Sequence, residues 1–273
     1  FCLACSHIKA DWYKCPERRS TLLWKLASKS RRNLILDAFQ EYQLQGGRWL
    51  YLAANGFYWV TAFHPHNPNI IEVRKGDQGS RAWTNAPGEY CNAFDGKHGG
   101  AWRIRGRPMS NLLGVTFTSF GLTQSSYYRR APDSELDECQ WIFEGVGREE
   151  VIGNFGLIGG GAAGLELDRA DLELGTPHRA FLLAHSEGHS DIFVPVTEEI
   201  TYSSRGQLLT GTGETNPKIR ADMVYYKTPN DGAVFSVGSM AWCGSLSHNG
   251  YDNNVSRITK NVIDKFVMDS QLP

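Results

Sequence analysis

Four phenols and one short polar run carry the side chains of this sequence best suited to chemistry. Tyr58, Tyr90, Tyr127 and Tyr128 fall in loop-like contexts, and the run from His185 to His189 sets Glu187 between two imidazoles. Phenolate and carboxylate are hard anionic oxygens. They suit a hard cation such as Fe(III), which polarises a carbonyl and acidifies bound water. An imidazole near neutrality can take a proton from that water and pass it to a leaving group. A tyrosine taken singly is more often a packing residue with its hydroxyl hydrogen-bonded, so residue type leaves both readings open.

Three rival chemistries are weaker. Cys243 lies close in sequence to His248, which would allow a thiol–imidazole pair, but no Gly-x-Cys-x-Gly elbow surrounds that cysteine. Gly159-Gly160-Gly161-Ala162-Ala163-Gly164 matches a dinucleotide-binding glycine pattern. The alternating Leu165-Glu166-Leu167-Asp168 that follows has no helical apolar stripe, however, so the glycines read as a tight loop needing close backbone approach. Cys2, Cys5 and Cys15, with His7 near, form an incomplete zinc pattern and read as free thiols.

Composition bounds the setting. The chain has 273 residues, 41% of them hydrophobic, and 28 Lys plus Arg against 29 Asp plus Glu. This predicts one globular unit with no polyanion as partner, hence no nucleic acid, and a balance suited to a small neutral ligand. No apolar run approaches the roughly 18 residues of a membrane span, and no signal peptide is evident, so a cytoplasmic protein without a membrane partner is expected.

The elements that must position these groups follow from periodicity. Ile35, Ala38, Phe39 and Tyr42 fall on one helical face, and Gly46-Gly47 supplies a left-handed stop. Arg48 to Ala53 then reads as a buried strand, a helix–loop–strand step typical of a parallel α/β sheet, which puts Asn55-Gly56 at a strand's carboxyl end, where ligands collect. Residues 64–110 read as an insertion over that crevice. Further strands are expected at Val115–Phe120, Trp141–Glu144, Phe155–Ile158 and Ala180–Ala184. A hairpin turns at Pro229–Gly232, and a terminal helix runs through Val255, Ile258, Val262 and Phe266 behind an asparagine cap. Residues 1–32 show no period and are left unassigned; 33–273 form the expected domain.

Longer blocks then carry a family resemblance. "NGFYWVTAFHP", "SSYYRR", "WIFEGVG", "GNFGLIGGGAAGLELDRADLELGTP", "SEGHSD" and "RADMVYYKTPNDGAVFSVGSMAWCGSLSHNGYDNNVSRIT" together resemble the C-terminal part of the large (beta) subunit of N,N-dimethylformamidase, over about residues 33–268. The resemblance implies a glutamine-amidotransferase-like three-layer α/β sandwich with a mostly parallel sheet and long loop insertions. It implies a mononuclear Fe(III) held by two tyrosines and a glutamate. The implied activity is hydrolysis of a small N-substituted formamide to an amine and formate, with a small subunit alongside and a homo-oligomer possible.

Carried over residue by residue, Tyr58, Tyr90 and Glu187 become the metal ligands, with Tyr128 and Glu166 next in line. Asn55 would orient substrate and His185 or His189 would shuttle the proton. His248 belongs to the thiol alternative with Cys243. Three features stand apart from the family: Cys91 follows Tyr90 where a second aromatic is common, the alanine pair before Asn55 replaces small or hydroxylated residues, and the upstream part of the large subunit has no counterpart here. The alternative reading is a truncated, non-catalytic amidotransferase-like domain that binds or assembles.

Overall fold

Gly46 stops the helix Asn33–Leu44 and turns the chain into the sheet. Its φ is +87°, and the Gly47 N–H reaches back to the Tyr42 carbonyl at 2.8 Å. A Cβ at position 46 would collide with the Asn230 carbonyl, so both conformation and space demand glycine. The computed structural model describes residues 33–67, 69–75, 89–196, 211–268 and 271–273. The unassigned 1–32 segment, with Cys2, Cys5 and Cys15, lies outside the described residues, as does part of the 64–110 stretch.

Strand β1 (Arg48–Tyr51) pairs in parallel with β9 (Gly232–Ser236), Tyr51 opposite Ser236. The small hairpin of β2 (Thr61–Phe63) and β3 (Ile71–Val73) stands apart. The main sheet continues from β9 through β8 (Asp222–Thr228), β6 (Phe181–Glu187) and β4 (Thr116–Arg130) to β5 (Ala163–Arg169). The two-residue β7 (Val194–Pro195) adds to β4 at Ser119 and Phe120.

This topology corrects the expected fold. Among the described residues β1–β9 is the parallel pair of a mixed, mainly antiparallel sheet, and the mostly parallel amidotransferase-like sandwich is overturned. The helix-to-strand step at 33–51 is present, but a parallel sheet needs such a crossover repeated between neighbouring strands. Here β8 and β9 are instead joined by the predicted Asn230–Asp231 turn, both residues at positive φ, and β4 spans 15 residues to serve two partners. Two other expected strands are also corrected: Gln140–Phe143 is a 3₁₀ turn, and 155–158 is irregular. Short apolar runs carry no period that separates a strand from a packed turn.

Two bulges in β4, between Phe117 and Ser119 and between Gly121 and Ser125, let its first part pair with β5 while Tyr127–Arg130 pair with β6. The result places β5 against the segments leaving β1 and β9. The Asp168 N–H donates to the Gly238 carbonyl at 2.8 Å, and the Val237 N–H donates to the Tyr51 carbonyl at 3.1 Å.

Alternation along the strands feeds two cores. Met223 and Tyr225 join Tyr128, Leu183, Phe235 and Trp242 on one face, where Val255, Ile258, Val262 and Phe266 of the helix Asn254–Val267 pack. Val224 and Tyr226 join Trp49, Val115, Phe117 and Leu36 on the other. The last helix starts as read, with the Asn253 side chain accepting the Ser256 N–H at 2.9 Å. Among the described residues no helix is long and apolar enough to cross a membrane.

Candidate acid–amide site

The glycine run before β5 decides where its acids stand. A Cβ at Gly159, Gly161 or Gly164 would meet Ser125 or Ser126, so the run lies directly on β4, the tight approach expected of it. From there β5 alternates, and Glu166 and Asp168, two positions apart, face the same way. Opposite them is the turn that leaves β1.

That turn is held in an unusual shape. Asn55 has φ 56°, Phe57 φ 52°, and Leu165 across the gap φ 62°. Asparagine tolerates the left-handed region, whereas the other two each cost about 1–3 kcal/mol and persist only where the surroundings fix them. Four hydrogen bonds tie the turn around Asn55 to β5. The Asn55 side-chain amide donates to Glu166 Oε1 at 2.9 Å, and the Asn55 backbone N–H donates to Asp168 Oδ1 at 2.9 Å. The Tyr51 hydroxyl donates to Asp168 Oδ2 at 3.2 Å and accepts the Gly56 N–H at 2.8 Å.

Burial sets the electrostatics. Asp168 is 0% and Tyr51 4% exposed, and the partners of Asp168 are a backbone N–H and a phenol rather than a cation. Desolvation pushes the Asp168 carboxyl up to about 7, only partly opposed by its two hydrogen bonds. Glu166 is raised as well, first by burial, with the Asn55 amide pulling the other way. Desolvation and the neighbouring Asp168 raise the Tyr51 phenol. Two neighbouring carboxyls, both raised first by burial and one of them bound by a side-chain amide, have the chemistry of an acid–base pair. Asn55 also lines an adjoining cleft of about 370 Å³ with Phe57, Tyr58, Trp59, Thr61 and Trp102.

The residues singled out from sequence divide. Asn55 enters the cluster, and Glu166, read only as a reserve ligand, is its partner. Tyr58 lines the cleft, its ring edge-on to Trp59 at 5.0 Å and Phe117 at 5.5 Å, with the Arg103 guanidinium 5.9 Å from the ring. Tyr90 stacks on His98 at 6.2 Å. Glu187 pairs with Arg129 at 3.3 Å and His185 at 3.2 Å.

His189 is buried, its Nε2 2.6 Å from the Ser186 hydroxyl, which itself accepts the Ala221 N–H; burial holds the imidazole down at about 4. His248 stacks on Phe155 at 4.1 Å, while the Cys243 thiol donates to the Leu52 carbonyl. The structure thus joins His185 to Glu187 and Asn55 to Glu166, and holds Tyr58, Tyr90 and Glu187 each among different neighbours.

Asp168 and Tyr51 were missed. Their only signal was an acidic residue alternating with leucines after a glycine run, and a tyrosine ending an apolar strand.

Fold and cluster define a mixed-sheet domain with a buried carboxyl–amide site beyond the end of its parallel edge pair. The sequence gives the family. Residues 33–253 match the model described as N,N-dimethylformamidase beta subunit-like, C-terminal, and the chain belongs to that family. It is 44% identical over 237 residues to the N,N-dimethylformamidase beta subunit of Alcaligenes sp and, equally, to that of Paracoccus aminophilus. The match covers 87% of this chain, which spans 30% of the length of these curated relatives.

Proposed function

We propose that this chain supplies the acid–base part of an amide hydrolase acting on small N-substituted formamides, with N,N-dimethylformamide as the type substrate. The observation that carries the reading is the 2.9 Å bond from the Asn55 amide to the Glu166 carboxylate, at a backbone conformation that asparagine tolerates and most residues do not.

Amide hydrolysis needs one group that removes a proton from attacking water and returns it to nitrogen, because a dialkylamide anion is a very poor leaving group. Glu166 takes the proton as water adds to the formyl carbon. The tetrahedral species collapses with cleavage of the C–N bond, and the same proton passes to the departing nitrogen, giving a neutral amine and formic acid, which ionises to formate. Burial, which raises the Glu166 carboxyl, makes it a stronger base toward the attacking water. Asn55 fixes the carboxylate, and the aromatic cleft beside it suits an uncharged substrate.

Iron, which the resemblance implies, would supply a Lewis acid for the carbonyl and an activated water. Tyr58, Tyr90 and Glu187 are the side chains that would hold it, and the steps above are those of the chain's own residues. A partner subunit belongs to the same reading, since the relatives are named as beta subunits.

The test is formate release from N,N-dimethylformamide by the full-length protein together with its partner subunit. Glu166→Gln should cost about 10²–10⁴-fold in rate, the usual weight of a positioned acid–base group, at an unchanged melting temperature. A fully active Glu166→Gln protein overturns the assignment. A family domain that only binds or assembles would leave wild type and variant equally inactive.

A further inference from the structure

We infer that Asp168, with Tyr51, is a positioning residue: the buried carboxylate clamps the turn after β1 so that the Asn55 amide is presented to Glu166. The inference rests on the reading of Asn55 and Glu166 as the reacting pair.

Each link is visible. Asp168 Oδ1 takes the Asn55 backbone N–H at 2.9 Å and Oδ2 takes the Tyr51 hydroxyl at 3.2 Å. The Tyr51 oxygen then takes the Gly56 N–H at 2.8 Å. One carboxylate therefore fixes two successive amides of the turn, the first directly and the second through a phenol.

The turn needs fixing, because Asn55 and Phe57 both sit at positive φ and their backbone would relax if released. Glu166 stands on the same strand as Asp168, so the strand that carries the acid also carries the clamp, and the distance between acid and amide is set within one rigid unit. A buried carboxyl with no cationic partner is costly to keep, and stability alone gives no reason for it here. Asp222, the other buried strand aspartate near it, has Arg220 at 2.8 Å. Asp168 makes its bonds to the turn instead.

The experiment uses the full-length protein with its partner subunit. In Asp168→Ala the amides of Asn55 and Gly56 should exchange with deuterium faster, and kcat for formate release should fall about 10²-fold, the scale of a misplaced reacting group, with KM nearly unchanged. Asp168→Asn retains an oxygen for the Asn55 N–H and should restore much of the protection and of kcat. If Asp168→Ala fails to fold, Tyr51→Phe keeps the ring and removes the acceptor of Gly56. Faster exchange at Gly56 with lowered kcat then supports the clamp.

A folded variant with unchanged exchange at both amides overturns the inference. So does faster exchange with unchanged kcat in a protein whose Glu166→Gln form is inactive. Faster exchange in a protein whose Glu166→Gln form is fully active upholds the clamp on the turn and shows that the assignment of Glu166 has failed.

Discussion

The Asn55 side-chain amide reaches the Glu166 carboxylate at 2.9 Å across 111 positions of sequence. Neither residue moves freely: one sits in a left-handed turn tied to Asp168, the other on a strand whose preceding glycine run is pressed onto β4.

In the proposed mechanism the Asn55–Glu166 bond sets the acid limb of the pH–rate profile. Burial raises Glu166 and the Asn55 amide lowers it. In Asn55→Ala the lowering contribution is gone, so the pH below which kcat/KM for formate release declines should move upward. An acid limb at the same pH in both proteins would contradict this.

Asp168 has a stability signature of its own. Its carboxyl is raised from 3.8 to about 7 in the folded chain, so the folded state keeps a proton that the unfolded state loses first. Its contribution is complete below 3.8 and is lost as pH rises through about 7. Urea unfolding at a series of pH values should show wild type losing stability across that window relative to Asp168→Asn, which does not titrate.

His189 acts with the opposite sign. Burial lowers it from 6.5 to about 4, so its contribution is complete above 6.5 and is lost as pH falls through about 4. His189→Asn should unfold with a flatter acid dependence than wild type over that range, whatever its absolute stability.

The glycine run should tolerate no side chain where it rests on β4. A Cβ at Gly161 would strike the Ser126 backbone, and backbone cannot swing away as a flexible side chain can. Gly161→Ala should therefore cost about 1–3 kcal/mol in unfolding free energy, whereas Gly160→Ala has open space around its Cβ and a positive φ of 80°, so it bears only conformational strain. Chemical denaturation of the two variants separates these effects.

Tyr128 offers a check on the core. Its hydroxyl donates to the Val237 carbonyl at 2.8 Å inside the sheet, and both residues are fully buried. Tyr128→Phe leaves that acceptor without its donor and should destabilise the fold by about 1–3 kcal/mol, read from the same denaturation curves.

By itself the sequence determined what depends on neighbours along the chain. The Gly46 stop, the asparagine cap at 253, the Asn230–Asp231 turn and the close-packed glycine run were all legible, because capping, turn and glycine chemistry act over a few residues. Family membership was legible for the same reason, as contiguous matching blocks. The direction of the strands was not. A helix followed by a buried strand predicts a parallel neighbour locally, but whether the sheet continues that way depends on which distant segment pairs next, and β8, β6 and β4 came in antiparallel. The site was likewise a tertiary matter. Tyr58, Tyr90 and Glu187 have the right oxygens, but their neighbours Phe117, His98 and Arg129 are set by packing and could not be read from the sequence. Asp168, by contrast, looks in sequence like one more polar residue of an alternating strand, and only bringing β5 against the turn after β1 takes it out of water and gives it Asn55 and Tyr51 to hold.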